Sequence, residues 1–65
     1  MTLRHPHEVE INGQTLAGII ERHQQWLRSS FKTGERAILV GADLRRTDLA
    51  GQDLREADFT GADLA

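Results

Sequence analysis

The 65-residue chain has no cysteine, no long apolar run, little net charge and no evident catalytic cluster. Each absence narrows the field. Without cysteine, neither a disulfide nor a thiolate metal site can staple a chain close to the lower size limit for a self-sufficient core. Residues 1–10 lack the apolar centre of a signal peptide, and no stretch approaches the roughly 20 apolar residues of a membrane-spanning helix. The expectation is a cytoplasmic protein with no membrane contact. A net charge of −2 is too small to dictate a partner. It is unevenly placed, +1 over residues 1–34 and −3 over 35–65, where Arg36, Arg45, Arg46 and Arg55 interrupt the acidic residues. No phosphate loop or nucleotide motif is present, so no cofactor is expected. His5-Pro6-His7 supplies two imidazoles without an evident third ligand, and no metal site is expected.

What the chain does have is a strict beat of five. Asp43-Leu44, Asp48-Leu49, Asp53-Leu54, Asp58-Phe59 and Asp63-Leu64 follow one another at that spacing, preceded by Ala42, Thr47, Gln52, Ala57 and Ala62. Ala37 and Leu39 extend the beat one step upstream. Five residues advance an α-helix by a net turn of about 140°, which scatters the leucines around it. In a straight strand an odd spacing sends successive leucines to opposite faces. The backbone must therefore turn once per unit, as in a solenoid.

Ala42-Asp43-Leu44-Arg45-Arg46 and its successors resemble the A-(D/N)-L-x-x units of pentapeptide repeat proteins. The resemblance extends upstream, where His23, Trp26, Leu27, Ser29 and Gly34 follow the order seen at the start of many bacterial members. It implies a mainly β fold: the start of a right-handed, four-sided β-helix, one unit per side and four per coil. On that plan Leu39, Leu44, Leu49, Leu54, Phe59 and Leu64 point inward with Ala37, Ala42, Thr47, Gln52, Ala57 and Ala62. The aspartates point outward. Gly41, Gly51 and Gly61 fall near corners, where positive φ suits glycine. Arg46 and Glu56 share that place, so not every corner can demand glycine. Gln52 is out of keeping with an inward slot and is expected to bond backbone groups or distort its corner.

Two segments are expected: an extension with a capping helix over 1–36, and repeats over 37–65. Thr15 is a suitable N-cap, and Leu16, Ile19, Ile20, His23, Trp26 and Leu27 follow helical spacing, which predicts an amphipathic helix over about 16–29. Before it, an extended piece at Glu8–Ile11 and a turn at Asn12-Gly13 are expected; a small hairpin is the alternative. The helix is expected to lie over the first coil, with Trp26 as a core anchor and His23 capping a backbone group. Ile38 and Val40 are apolar at outward positions, which predicts that the helix or a partner covers them. Residues 38–65, at twenty per coil, supply about 1.4 coils. The repeats stop mid-unit at Ala65, so an N-terminal fragment of a longer protein is expected, with self-association through the open coil as the alternative.

For function, no catalytic constellation stands out and no enzyme is expected. Stacking of Asp43 under Asp63 predicts one modestly raised carboxyl pKa, offset by Arg45. The candidate interaction surface comprises Asp43, Arg45, Arg46, Asp48, Asp53, Arg55, Asp58 and Asp63. The leading expectation is a non-enzymatic structural or protein-interaction module whose protein partner is unspecified, with no nucleic-acid contact. The alternative is implied by the resemblance alone: a DNA mimic that inhibits or protects a topoisomerase such as gyrase. A short rod and the outward arginines count against it.

Overall fold

The computed structural model describes residues 2–65. A 3-10 turn at Pro6–Glu8 is followed by β1 (Glu10–Ile11), β2 (Gln14–Thr15) and α1 (Leu16–Arg28). Asn12 and Gly13 have φ of 52° and 80°. Two consecutive positive values fit the hairpin turn whose twist suits paired strands. The turn at Asn12-Gly13 stands as expected, but it joins two strands, with Glu10 opposite Thr15 and Ile11 opposite Gln14, so the hairpin given as the alternative forms.

Thr15 caps α1 by accepting from the Gly18 N–H at 3.2 Å. The helix buries Leu16, Ile20 and His23, and Val9 from the preceding segment joins them. Trp26 is only partly buried, contrary to its expected role as core anchor. At 100° per residue it lies about 80° around the helix from Leu16, at the edge of the buried stripe. There it stacks on the exposed Phe31, with 4.2 Å between ring centroids. Gly34 then brings the chain against the helix with φ +73°. A Cβ at Gly34 would stand 2.7 Å from the Trp26 nitrogen and closer still to the Arg22 carbonyl oxygen, so only glycine fits.

From Ala37 onward the backbone turns every five residues. The carbonyls of Leu39, Leu49, Leu54 and Phe59 accept from the N–H three residues on, at 2.9–3.2 Å. Gly41, Arg46, Gly51, Glu56 and Gly61 take φ between 53° and 77°. Every corner of the beat thus adopts the left-handed conformation. Arg46 and Glu56 adopt it despite carrying a Cβ, at a cost of about 1 kcal/mol each. The left-handed corner therefore does not demand glycine, in keeping with Arg46 and Glu56 sharing that place in the repeat.

Twenty residues on, the chain lies beside itself. Ile38 bridges Asp58 and Asp43 bridges Asp63, both in parallel. Asp58 N–H donates to Ala37 and its carbonyl accepts from Leu39; Asp63 repeats this with Ala42 and Leu44, all at 2.7–2.9 Å. Regular strand is nonetheless confined to β1 and β2 among the described residues. The expected mainly-β content is replaced by isolated bridges, because a five-residue side that spends two residues in a turn cannot hold a longer ladder.

Burial follows the stacking. Leu39, Leu44, Ala37 and Ala42 are buried; Leu49, Leu54, Phe59, Ala57 and Ala62 pack partly against them. Leu64 is 57% exposed, although the beat places it inward, because no described residue lies above it. Gln52 is exposed and lines an open cleft of about 380 Å³ beside the Pro6–Glu8 turn. It therefore neither enters an interior slot nor meets the predicted backbone partners there. Ile38 and Val40 are 52% and 57% exposed, so the helix does not cover that wall. The helix meets the repeats at Ala37 and over residues 53–55 instead. Gln24 Nε2 donates to the Asp53 carbonyl at 2.5 Å, and His23 Nε2 lies 2.7 Å from the Arg55 carbonyl.

Candidate functional site

The aspartates carry the strongest pattern in the sequence, and their geometry is uniform. Oδ1 of Asp43, Asp48, Asp53, Asp58 and Asp63 accepts from the backbone N–H two residues on, at 3.0–3.3 Å. The reason lies in the backbone donors of one unit. Ala42 N–H closes the turn to Leu39, while Leu44 and Arg46 N–H donate to the layer above, at Asp63 and Ala65. The aspartate N–H serves the ladder in the opposite direction, as Asp63 does to Ala42. The residue after the leucine is left without a backbone acceptor, and the aspartate carboxylate supplies one. The Asp of each unit is thus primarily a backbone partner. Ile38 occupies this place in the first unit, and no carboxylate serves Val40 there.

Of the eight candidate surface residues, the structure joins three closely. Arg45 Nε lies 2.9 Å from Asp43 Oδ1 and 3.6 Å from Asp63 Oδ2. Hydrogen bonds from the Arg45 guanidinium and backbone hold the Asp43 carboxyl at about 2. The raised pKa expected from stacking is reversed at Asp43, because the cation stands between the two carboxylates. Asp53 and Arg55 form a separate pair at 2.9 Å, and Arg55 lowers the Asp53 pKa. Asp58 is lowered by the Thr60 hydroxyl, 2.6 Å away, and then by the Thr60 N–H. Asp48 bonds Ala50, and Arg46 lies beside Arg4 and Arg45 in a cleft that ends at Ala65. The eight residues are distributed around the repeats rather than converging on one point.

Residues outside the beat complete the arrangement. His23 is fully buried. Its Nδ1 accepts from the Ala37 N–H at 3.0 Å, which leaves Nε2 to carry the proton donated to Arg55. One imidazole thereby joins α1 to two points of the repeats. Arg4 forms a parallel bridge with Thr47. His23 was legible as a helical residue on an apolar face; Arg4 has no sequence signal, since its partners lie about forty positions away. His5 and His7 stack at 4.8 Å, and His5 Nδ1 accepts from the His7 N–H. Among the described residues, no group of three or more metal-ligating side chains is assembled, and no helix is long and apolar enough to cross a membrane.

A family model described as "Pentapeptide repeats (8 copies)" matches residues 35–65. Residues 35–65 belong to the pentapeptide repeat family. No curated protein and no solved structure matches the chain. Pentapeptide repeats imply a β-helix-like solenoid, suggest a structural or interaction module, and are generally non-enzymatic.

Proposed function

We propose that the chain is a non-enzymatic protein-interaction module of the cytoplasm. On this reading, residues 37–65 begin a right-handed, four-sided β-helix and residues 1–36 cap its first coil. The observation that carries the reading is the use of the aspartates. Each one serves its own backbone, and Asp43 and Asp53 are also paired with arginine, so the repeats present a shaped, regular wall rather than free acid–base groups.

The interacting surface is the coil face around Phe59 and Leu64. It carries half-buried and exposed apolar side chains beside a ladder that already pairs in parallel at a twenty-residue offset. A bare β-edge adds strands readily, and another coil of the same repeat matches both the edge and the apolar residues. The occupant on this reading is a second copy of the chain. Sedimentation over a range of concentrations tests it. A monomer–dimer equilibrium that Leu64→Glu shifts to monomer is the expected result, since Leu64 is too exposed to be needed for folding. A compact monomer at every concentration would overturn it. DNA mimicry finds no favouring observation, because arginines lie against three of the five aspartates of the acidic wall; the absence of any effect on gyrase supercoiling is expected.

A further inference from the structure

The first-coil edge opposite that face is met by α1 at Asp53 and Arg55, and over residues 43–48 it is closed by one residue of the N-terminal segment, Arg4. Arg4 N–H donates to the Arg46 carbonyl at 2.6 Å, and the Arg4 carbonyl accepts from Asp48 N–H at 2.8 Å. Its side chain then runs back along the same edge. Nη2 donates to the Arg45 carbonyl at 2.5 Å and to the Asp43 carbonyl at 3.2 Å, and Nε donates to the Arg45 carbonyl at 3.0 Å. Thr47 Oγ1 lies 3.4 Å away, and the Asp43 carboxylate 3.6 Å. The neighbouring Leu3 is 53% exposed, whereas Pro6, two residues after Arg4, is buried, so Arg4 rather than apolar burial fastens the residues before Pro6 to the edge.

Two kinds of recognition therefore meet at residues 43–48. A backbone edge at Arg46 and Asp48 takes an extended segment in parallel register. Beside it, two converging carbonyls and a carboxylate take a planar, multidentate cation. The guanidinium fork reaches both carbonyls at once, which a lysine ammonium on its single point of charge does not reproduce. Carbonyls on this side would otherwise be open to another strand.

We propose that residues 43–48 form an arginine-reading strand site, occupied in cis by the segment around Arg4, which takes an extended arginine-bearing peptide in trans once that segment is released. The proposal is independent of the self-association reading, which concerns the other edge of the coil.

The test uses the full chain and a synthetic peptide of residues 2–8. Amide exchange is followed at Asp48, whose N–H is held by Arg4, and at Asp58 and Asp63, whose N–H groups are held by the repeat ladder. In Arg4→Ala, exchange at Asp48 is expected to rise at least about tenfold while Asp58 and Asp63 keep their protection. Added peptide restores protection at Asp48, and the same peptide with lysine in place of arginine does not. Arg4→Lys, which keeps the charge and the backbone bonds, gives a partial opening and guards against global loss of structure in Arg4→Ala. Unchanged exchange at Asp48, a joint rise at all three amides in both variants, or equal rescue by the two peptides would each overturn the proposal.

Discussion

The sides built from residues 37–46 and 47–56 have the same repeat sequence and different surroundings. Over the first, the chain returns after twenty residues, and Leu39 and Leu44 are buried beneath Phe59 and Leu64. Over the second no described layer returns, and Leu49 and Leu54 remain half-buried. Gln24 and His23 reach the Asp53 and Arg55 carbonyls of the second side, as Arg4 reaches the Asp43 and Arg45 carbonyls of the first. A repeat thus specifies its own turn, but its core position becomes a core only when another coil covers it. The solenoid logic of nearest-neighbour stabilisation operates here within a single coil.

The sharpest way to break the comparison is to remove the same atoms from both sides. Leu44→Ala is expected to cost about 2–5 kcal/mol, the usual range for a fully buried leucine, and Leu54→Ala less than half as much. Urea midpoints at matched m-values measure both. Equal costs would mean that stacking does not set burial energy in these repeats.

The contact that ties α1 to both sides comes next. His23→Ala deprives the Ala37 N–H and the Arg55 carbonyl of their partners at once. With about 1–3 kcal/mol for each orphaned group that water does not reach, a loss of about 2–4 kcal/mol is expected. His23→Asn keeps an acceptor near the Nδ1 position and is expected to recover part of the loss, while His23→Leu, which fills the space without hydrogen bonds, is not. Recovery by leucine would show that the ring acts by packing alone.

Corner substitutions have smaller effects and opposite signs. Glu56 holds φ of 67° with a side chain that disfavours it. Glu56→Gly is expected to stabilise by up to about 1 kcal/mol, and it leaves intact the carbonyl that accepts from Arg36 Nε. Gly51→Ala meets no atom within 4 Å of the added Cβ. Its expected loss of about 1 kcal/mol is therefore conformational alone, and thermal midpoints of the two variants should move in opposite directions.

Much of this was legible in the sequence, and the reason is local periodicity. The spacing from Asp43 to Asp63 placed the turns, and Thr15 with the apolar stripe placed α1 near its observed Leu16–Arg28. The misreadings share a cause. Trp26, Ile38, Val40 and Gln52 were placed by their position within a pattern, whereas their burial depends on where α1 lies against the repeats. That docking is fixed by His23, Gln24 and Arg4 reaching backbone carbonyls, and a carbonyl looks the same at every residue in a sequence. The aspartates misled differently. An outward charge at regular intervals reads as a surface for recognition, but its first partner is an N–H two residues away.

The smallest expected effect is acid sensitivity localised to the stacked side. Asp43 in the folded chain titrates at about 2, held down chiefly by its hydrogen bonds with Arg45. An aspartate in the unfolded chain titrates near about 3.9. The folded state therefore binds the proton less readily, so the stabilisation is fully present above about pH 4 and disappears as pH falls through about 2. Arg45→Ala removes the cation that lies between Asp43 and Asp63 and leaves the two carboxylates facing each other. Its stability profile is expected to decline from a higher pH than that of the parent chain, by an amount that added salt reduces because the groups are exposed. Arg55→Ala, on the uncovered side, releases Asp53 with no second aspartate stacked above it. A smaller displacement of its acid limb is expected. Carboxyl chemical shifts recorded from pH 2 to 6 resolve the two sites, and identical displacement in both variants would show that stacking of the coils contributes nothing to the Asp43 environment.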